Sequence, residues 1–213
     1  CLKGELNLCE GGSRGQPSTA YGISPALNGG HAEYLEVPFA DIGAAKIPDG
    51  VTDEQAILLT DALGTGYYGV KMANVKPGDS VAVIGQGPVG LMAAEAAMAV
   101  GAARVYGIDM QASRLKQTTK FGGIPLTPDE ALERIMHDTN GIGVDAVIEA
   151  VGIGPTLKQA IRLVRWGGSM SILGGRIKGE GIFTHQFSLS EGAEAFRLFN
   201  EREDGVIKTM MTP

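Results

Sequence analysis

The sequence is poor in cysteine, in long apolar runs and in positive charge, and each shortage excludes a class of protein. Two cysteines among 213 residues cannot form the disulfide framework of a small secreted domain. No apolar run reaches the length of a membrane-spanning helix, and no secretory signal peptide is recognisable. The net charge of −6 does not attract phosphate backbones or anionic lipid. We therefore expect a cytoplasmic protein that binds neither nucleic acid nor membrane.

Glycine, by contrast, is abundant, and its 32 residues indicate many tight turns or backbone surfaces that face a ligand. In the middle of the chain, short apolar runs alternate with helix-forming segments. The predicted strands cover residues 81–84, 104–108, 124–126, 144–148 and 169–173. The predicted helices cover residues 88–100, 111–121 and 155–165, with another beginning at Thr127. This alternation predicts the α/β class, with a doubly wound parallel sheet and helices on both faces.

Two of these helices carry more detailed expectations. Thr127 has the character of an N-cap, because Pro128 follows in the first turn and Glu130 stands three residues after the cap. The positions expected to face inward are Leu132, Ile135 and Met136 on this helix and Leu157, Ile161 and Val164 on the helix over 155–165.

The flanks of the chain differ from its middle. Residues 1–50 predict irregular β structure, and residues 182–213 predict a strand, a helix, a turn and a strand.

The stretch VAVIGQGPVG, residues 81–90, raises the question of a dinucleotide site. The glycine pattern alone is weak, but Gly85, Gly87 and Gly90 follow a predicted strand and open a predicted helix. Gly85 would permit the tight turn, Gly87 the approach of the pyrophosphate to the helix N-terminus, and Gly90 close helix–strand packing. The loop residues Pro88 and Val89 are counted with the candidate cofactor-binding residues. The alternative is a glycine-rich turn that serves another ligand.

Asp109 ends the next strand, 19 residues after Gly90, close to the expected spacing for the acidic residue of such a site. Its carboxylate can accept hydrogen bonds from both adenosine ribose hydroxyls and would repel a 2′-phosphate, which favours NAD over NADP. Arg114 either reaches the adenosine end or is a solvated helix charge. Leu173 and Gly174 end the fifth strand, where a nicotinamide would lie, or they form a plain strand exit.

Six stretches of the sequence carry a family resemblance, and they stand in that family's order. They are CLKGELNLCE, GGHAEYLEVP, LLTDALGTGYYGV, GDSVAVIGQGPVGLMAAEAA, VDAVIEAVG and FTHQFSLSEGAEAFRLF. The sequence resembles the zinc-dependent medium-chain alcohol dehydrogenases, and it is most similar to their glutathione-independent formaldehyde dehydrogenase branch. The resemblance implies a Rossmann NAD-binding domain over residues 51–181. Residues 1–50 and 182–213 would then be parts of a GroES-like catalytic domain.

The resemblance also implies zinc-assisted hydride transfer between NAD and a small alcohol or aldehyde. Asp61 matches the third protein ligand of the catalytic zinc, with a helix-surface aspartate as the alternative. Thr65, in the same motif, falls where the family contacts the nicotinamide side of the cofactor. Lys208 matches a basic residue near the pyrophosphate, with an exposed terminal charge as the alternative. Cys1 and Cys9 look like the third and fourth ligands of a structural zinc. Val151, in VDAVIEAVG, is a further candidate cofactor contact.

The sequence departs from the family pattern in two places. The family's N-terminal third, with two catalytic zinc ligands, is absent, and a segment is absent after SILGGRIKGEG. That segment includes the strand that usually pairs across the family's dimer, so the resemblance does not extend to that dimer. A homo-oligomer stays an open alternative. One interpretation is a longer zinc enzyme of which this is a part. The other is a short chain, which would be a zinc-free NAD(P)H-dependent carbonyl or quinone reductase, or a non-catalytic nucleotide-binding remnant. The substrate is not named by the sequence.

Overall fold

The computed structural model describes residues 30, 32–37, 40–173, 185–188 and 209–212. The chain divides into two compact units, Cys1–Val51 and Thr52–Pro213. In the described part of the first unit, residues 32–37 form neither helix nor strand, and Ala40–Gly43 forms the one-turn helix α1. The predicted β structure is therefore not found in those residues. The apolar side chains of Tyr34, Leu35 and Val37 are exposed, so no sheet face covers them there.

A parallel five-stranded sheet forms the centre of the second unit. Its strands are β1 (Ser80–Ile84), β2 (Arg104–Ile108), β3 (Ile124–Leu126), β4 (Val144–Glu149) and β5 (Val164–Ile172). The spatial order is β3-β2-β1-β4-β5, and every neighbouring pair is parallel. Ile84 at the end of β1 pairs with Ile108 of β2 on one side and with Glu149 of β4 on the other. The carboxyl ends of the three central strands therefore meet at one edge.

Helices cover both faces of this sheet, as the alternating pattern predicted. They are α2 (Asp53–Leu59), α3 (Ala62–Met72), α4 (Pro88–Ala99), α5 (Ala112–Lys120), α6 (Pro128–Asp138) and α7 (Gly154–Leu163). One buried cluster joins alternate residues of the strands, such as Val81 and Val83, to the alanines of α4. The opposite cluster joins Ala82 and Ile84 to α6 and α7. The doubly wound Rossmann-type α/β fold is thus confirmed.

The start of α6 follows the sequence prediction. Thr127 is the N-cap, its Oγ1 accepts the Glu130 backbone N–H at 3.4 Å, and Glu130 Oε2 accepts the Thr127 N–H at 3.2 Å. The predicted buried face of this helix was partly wrong, because Leu132 is exposed. The prediction for Ile135 is confirmed, since Ile135 is buried, and Ala131, four residues earlier on the same face, is buried with it.

The end of α7 also differs from the prediction. The helix ends at Leu163, because Val164 adopts an extended conformation and begins β5 directly. Val164 is thus a strand residue, and β5 starts earlier than the predicted 169–173. Ile161 was expected to face inward but is exposed, whereas Leu157, Ala160 and Leu163 share the buried face at intervals of three.

Two short strands follow in the chain. They are β6 (His185–Ser188) and β7 (Thr209–Thr212), and they pair in parallel. The helix predicted after β6 and the turn at 204–205 lie outside the described residues. The predicted domain limits and the GroES-like parts therefore remain predictions. In the described part of the chain, no helix combines the length and apolarity needed to cross a membrane.

Candidate functional site

The turn after β1 is built around Gly85. Its φ of +88° lies in the left-handed region that favours glycine. Its N–H donates to the carbonyl oxygen of Ile108 at 2.7 Å, which ties the turn to the end of β2. A Cβ at Gly85 would stand 2.6 Å from Cγ2 of Val151, so the structure brings this predicted cofactor contact against the turn. Both backbone conformation and space therefore require glycine here.

The next two glycines open α4. Gly87 is the N-cap residue, and a Cβ added to it would meet no atom within 4 Å. A Cβ added to Gly90 would collide with the carbonyl oxygen of Gly85, so the first turn of α4 presses directly on the glycine turn. Pro88 is the first helical residue, and the following N–H groups of Val89 and Gly90 have no intrahelical partner. The N-terminus of α4 is therefore accessible beside Gly87 and offers backbone N–H groups to an anion.

The carboxylate of Asp109 follows β2 and lies beside this turn. Its Oδ2 accepts the backbone N–H of Gln86 at 2.7 Å, and its Oδ1 accepts the backbone N–H of Gln111 at 2.8 Å. Arg114 approaches Oδ2 at 3.4 Å through Nη1. The acidic residue, the predicted Arg114 and the glycine turn are thus brought together.

The charge of Asp109 is maintained despite its burial. Burial raises the pKa of the carboxyl, but hydrogen bonds from the N–H groups of Gln111 and Gln86 and from Arg114 lower it. The net result is a pKa below the ordinary value for aspartate. Since each carboxylate oxygen has two acceptor positions, Asp109 can be an ionised acceptor for a ligand as well as for the backbone.

A buried polar pair behind the turn was missed by the sequence analysis. The side chain of Gln86 is fully buried, and its Nε2 donates to the carbonyl oxygens of Val83 and Gly85, each at 3.0 Å. Its Oε1 accepts the hydroxyl of Thr118 at 2.9 Å. The sequence contained one signal for Thr118. Leu115 is the single large apolar residue of α5, so a further residue of this helix has to face the core.

Glu149, at the end of β4, was also missed. It is fully buried, and its Oε1 accepts the backbone N–H groups of Val151 and Gly152, each at 2.9 Å, and the hydroxyl of Thr156 at 2.8 Å. The carboxylate therefore fixes the loop that carries Val151 against the glycine turn. The sequence contained a signal for Glu149, because it is an acidic residue at the end of an apolar strand, just as Asp109 directly follows β2.

The two residues predicted on the catalytic side are also close together. Asp61 is the exposed N-cap residue of α3, and its Oδ1 accepts the hydroxyl of Thr65 at 3.2 Å. The next residue, Gly66, lies where an added Cβ would be 2.6 Å from the backbone nitrogen of Ala93. One turn later, a Cβ on Gly69 would collide with the side chain of Leu173. This end of α3 therefore packs closely on α4, and α3 also contacts the residue that follows β5.

The predicted zinc ligands are not assembled in the part of the chain that the structure describes. No group of three or more histidine, cysteine, aspartate or glutamate side chains there is placed to hold a metal ion. Asp61 alone does not fit zinc, which needs three protein ligands in a catalytic site. Cys1, Cys9, Gly174 and Lys208 lie outside the described residues, so their predicted roles remain predictions.

Comparison with known proteins adds the family. The sequence model of the family described as "Zinc-binding dehydrogenase" matches residues 88–201, more than half of the chain. The chain belongs to the zinc-binding dehydrogenase family. The broad resemblance inferred from the motifs is thus confirmed, and the formaldehyde dehydrogenase branch remains a prediction.

The relatives of this chain include proteins named as alcohol dehydrogenases and a sorbitol dehydrogenase. It is 44% identical over 148 residues to a probable zinc-binding alcohol dehydrogenase of Mycobacterium tuberculosis, covering 70% of this chain and 38% of that protein. It is 31% identical over 249 aligned positions to an alcohol dehydrogenase of Cupriavidus necator, covering 95% of this chain and 68% of that protein. The chain therefore spans about two fifths of the first relative's length and two thirds of the second's.

A solved structure supports the same conclusion. The alcohol dehydrogenase TADH from Thermus sp. ATN1 matches with a TM-score of 0.73 and 32% identity, over 100% of this chain and 72% of that one. The structural match thus agrees with the family assignment from the sequence.

Proposed function

We propose that the chain is part of an NAD-dependent, zinc-type oxidoreductase that interconverts a small alcohol and its aldehyde by hydride transfer. The observation that carries the proposal is the position of Asp109. Its ionised carboxylate is hydrogen-bonded to the turn that leads into Gly87, where the helix N-terminus is open. A ribose acceptor and an anion site are therefore adjacent, as a dinucleotide requires.

Each part of the loop has a defined task in this proposal. The N–H groups of Val89 and Gly90 and the dipole of α4 hold the pyrophosphate. Asp109 accepts hydrogen bonds from the adenosine ribose hydroxyls, and its negative charge disfavours the 2′-phosphate of NADP. Arg114 is about half exposed, with its side chain at 52%, and has donors beyond the one directed at Asp109. NAD, when bound, supplies the hydride acceptor.

The catalytic side rests more on the family than on the described geometry. Thr65 lies on α3, and α3 contacts Leu173, the residue that follows β5. The resemblance assigns Thr65 to the nicotinamide side, and the end of the fifth strand is where a nicotinamide would lie. Asp61 is proposed as a zinc ligand from the resemblance alone, because the described residues do not complete a metal site. Formaldehyde without glutathione is the first aldehyde to assay, because of the branch that the motifs resemble.

The test has three measurements on the whole enzyme of which this chain is proposed to be a part. Calorimetric titration compares NAD with NADP, absorbance follows NADH formation from small alcohols, and elemental analysis measures zinc. Tighter binding of NAD with zinc-dependent turnover supports the proposal. Turnover without zinc would instead indicate the carbonyl or quinone reductase, and binding without turnover the nucleotide-binding module. Absence of NAD binding would overturn the cofactor assignment.

A further inference from the structure

We propose that Gln86 and Thr118 form a positioning pair that holds the binding site for the adenosine diphosphate half of the cofactor. This inference rests on the proposed function, and it assigns a role to two residues that do not themselves need to touch the ligand. Gln86 stands between the first two glycines of the loop, whereas Thr118 lies 32 residues later, in α5.

Gln86 connects four parts of the site, three through its buried side chain and the fourth through its backbone N–H. Gln86 Nε2 binds the carbonyl oxygen of Val83 in β1 and that of Gly85 in the turn. Gln86 Oε1 binds Thr118 in α5, and the Gln86 backbone N–H binds Asp109 after β2. Every polar group of the amide that faces the core has a partner, so the side chain has one strongly preferred position.

The surrounding backbone is shaped for this pair. A Cβ at Gly107 in β2 would stand 2.5 Å from Cγ2 of Thr118 and 2.6 Å from Oε1 of Gln86. A Cβ at Gly123, just before β3, would stand 2.8 Å from the same methyl group of Thr118. Two glycines therefore leave the space that Gln86 and Thr118 occupy. The pair is built into the sheet and is not a chance contact of surface side chains.

The consequence for binding follows from the groups to which Gln86 is hydrogen-bonded. Gln86 fixes the turn before Gly87, and its backbone N–H fixes the rotamer of Asp109. The same residue thus sets the distance between the ribose acceptor and the open N-terminus of α4. A turn released from Thr118 would hold these two groups in less definite positions. Binding of the adenosine diphosphate part would weaken, because the turn and Asp109 would then have to become ordered on binding.

The test uses two substitutions of Thr118 that separate its hydroxyl from its methyl group. Thr118→Val keeps the shape and removes the donor to Gln86, whereas Thr118→Ser keeps the donor and removes the methyl that fills the space beside the two glycines. Calorimetry on the full chain measures Kd for NAD and for ADP-ribose. Thr118→Val is expected to weaken both ligands by about two- to tenfold, the effect of one lost hydrogen bond. Thr118→Ser is expected to keep the wild-type affinities.

A matched control separates positioning from general stability. Thr139 has a comparable structural hydroxyl, which donates to the carbonyl oxygen of Ile135 at 2.6 Å and accepts the N–H of Gly143 at 3.0 Å. Thr139 is the C-cap of α6, and its partner Gly143 precedes the first residue of β4, whereas the glycine turn follows the last residue of β1. Thr139→Val is expected to lower the melting temperature and leave both Kd values unchanged. In a Gln86→Met background, Thr118→Val is expected to have little further effect on Kd, because the shared bond is already absent.

The outcomes distinguish a failure of the positioning role from a failure of the proposed function. If the wild-type chain binds NAD and ADP-ribose, and Thr118→Val and Gln86→Met bind them equally well, the positioning role is overturned and the proposed function stands. If affinity follows the melting temperature across all variants, including Thr118→Ser and Thr139→Val, the pair is merely structural and the inference is also overturned. If the wild-type chain binds neither ligand, the proposed function fails and this inference fails with it.

Discussion

The backbone N–H of Gln86 donates to Oδ2 of Asp109 at 2.7 Å, which joins the glycine turn after β1 to the carboxylate after β2. The acid of a dinucleotide site is usually considered as a ligand for ribose. Here it is also an acceptor for the turn that we propose as the pyrophosphate site. The two halves of the proposed adenosine diphosphate site are thus connected by one hydrogen bond.

Removal of this carboxylate is therefore expected to affect binding through both connections. In Asp109→Ala, the ribose hydroxyls lose their acceptor, and the N–H groups of Gln86 and Gln111 lose theirs. We expect NAD binding to weaken by about 1–3 kcal/mol, because partners are left unpaired. Calorimetric titration measures the change. Asp129→Ala, at an exposed position in the first turn of α6, is the control. Unchanged NAD affinity in Asp109→Ala would contradict the cofactor assignment.

Gly90→Ala is expected to disrupt the loop itself. The new methyl group would collide with the carbonyl oxygen of Gly85 and stand 2.8 Å from its carbonyl carbon, and neither backbone atom can move independently of the turn. We expect a loss of about 1–3 kcal/mol in the free energy of unfolding, as for other overpacked sites, together with weaker NAD binding. Urea unfolding at neutral pH measures the first effect. A variant as stable as the wild type would show that the turn and α4 are not packed as described.

Gly87→Ala is expected to separate binding from stability. Its φ of −72° suits any residue, and the added methyl group would meet no protein atom within 4 Å. The free energy of unfolding should thus change by less than about 0.5 kcal/mol. The methyl group would nevertheless occupy the space in which a pyrophosphate approaches the helix. We expect NAD affinity to fall about tenfold or more, equivalent to about 1.4 kcal/mol. Wild-type NAD affinity in this variant would place the ligand elsewhere.

Glu149→Gln is expected to loosen the loop that holds Val151. The carboxylate accepts two backbone N–H groups and the Thr156 hydroxyl, and an amide would direct its own N–H groups toward some of these donors. We expect a loss of about 1–3 kcal/mol in the free energy of unfolding, because the site is fully buried. Faster hydrogen exchange at residues 150–153 would locate the effect. Glu133→Gln, on the exposed face of α6, provides the control, and equal behaviour of the two variants would contradict the prediction.

The parts of the fold around the candidate site that the sequence predicted correctly are those encoded locally. The turn with Gly85, Gly87 and Gly90 lies within ten residues, and its position between a strand and a helix is visible in the apolar pattern. Asp109 could be placed beside it because consecutive strands of a parallel sheet end at the same edge. The predicted buried faces of the helices were wrong where a small and a large apolar residue are neighbours. On α7, Ala160 is buried and Ile161 is exposed.

The parts that could not be predicted depend on pairing between distant residues. Nothing local connects Gln86 to Thr118, or shows that Gly107 is needed because of both. Glu149 has the same sequence context as Asp109, but its side chain turns toward its own loop. The role of Asp61 came from the family resemblance, since the pattern around it predicts only the start of a helix.

A further prediction concerns acid stability at the opposite edge of the sheet. Asp145 Oδ2 accepts the N–H and the hydroxyl of Ser80, each at 2.8 Å, and its Oδ1 accepts Arg165 Nε at 2.7 Å. Burial raises the pKa of Asp145, but the Ser80 backbone, Arg165 and the Ser80 hydroxyl lower it, so that the pKa lies below its ordinary value. The pKa values of Asp109 and Asp138 are lowered as well.

These shifts fix the direction of the pH dependence. At acidic pH the unfolded chain binds more protons than the folded chain, so the stability contributed by the carboxylates is present above their unfolded pKa and is lost as the pH falls through the folded values. Asp145→Asn is expected to lower the free energy of unfolding by about 1–3 kcal/mol at neutral pH. Between about pH 5 and pH 3, the free energy of unfolding of this variant should fall less steeply than that of the wild type. Urea unfolding across this range measures both effects. Ser80→Ala, which removes one of the bonds to the Asp145 carboxylate, should give an intermediate slope. Parallel curves for the wild type and Asp145→Asn would show that Asp145 does not contribute to acid sensitivity.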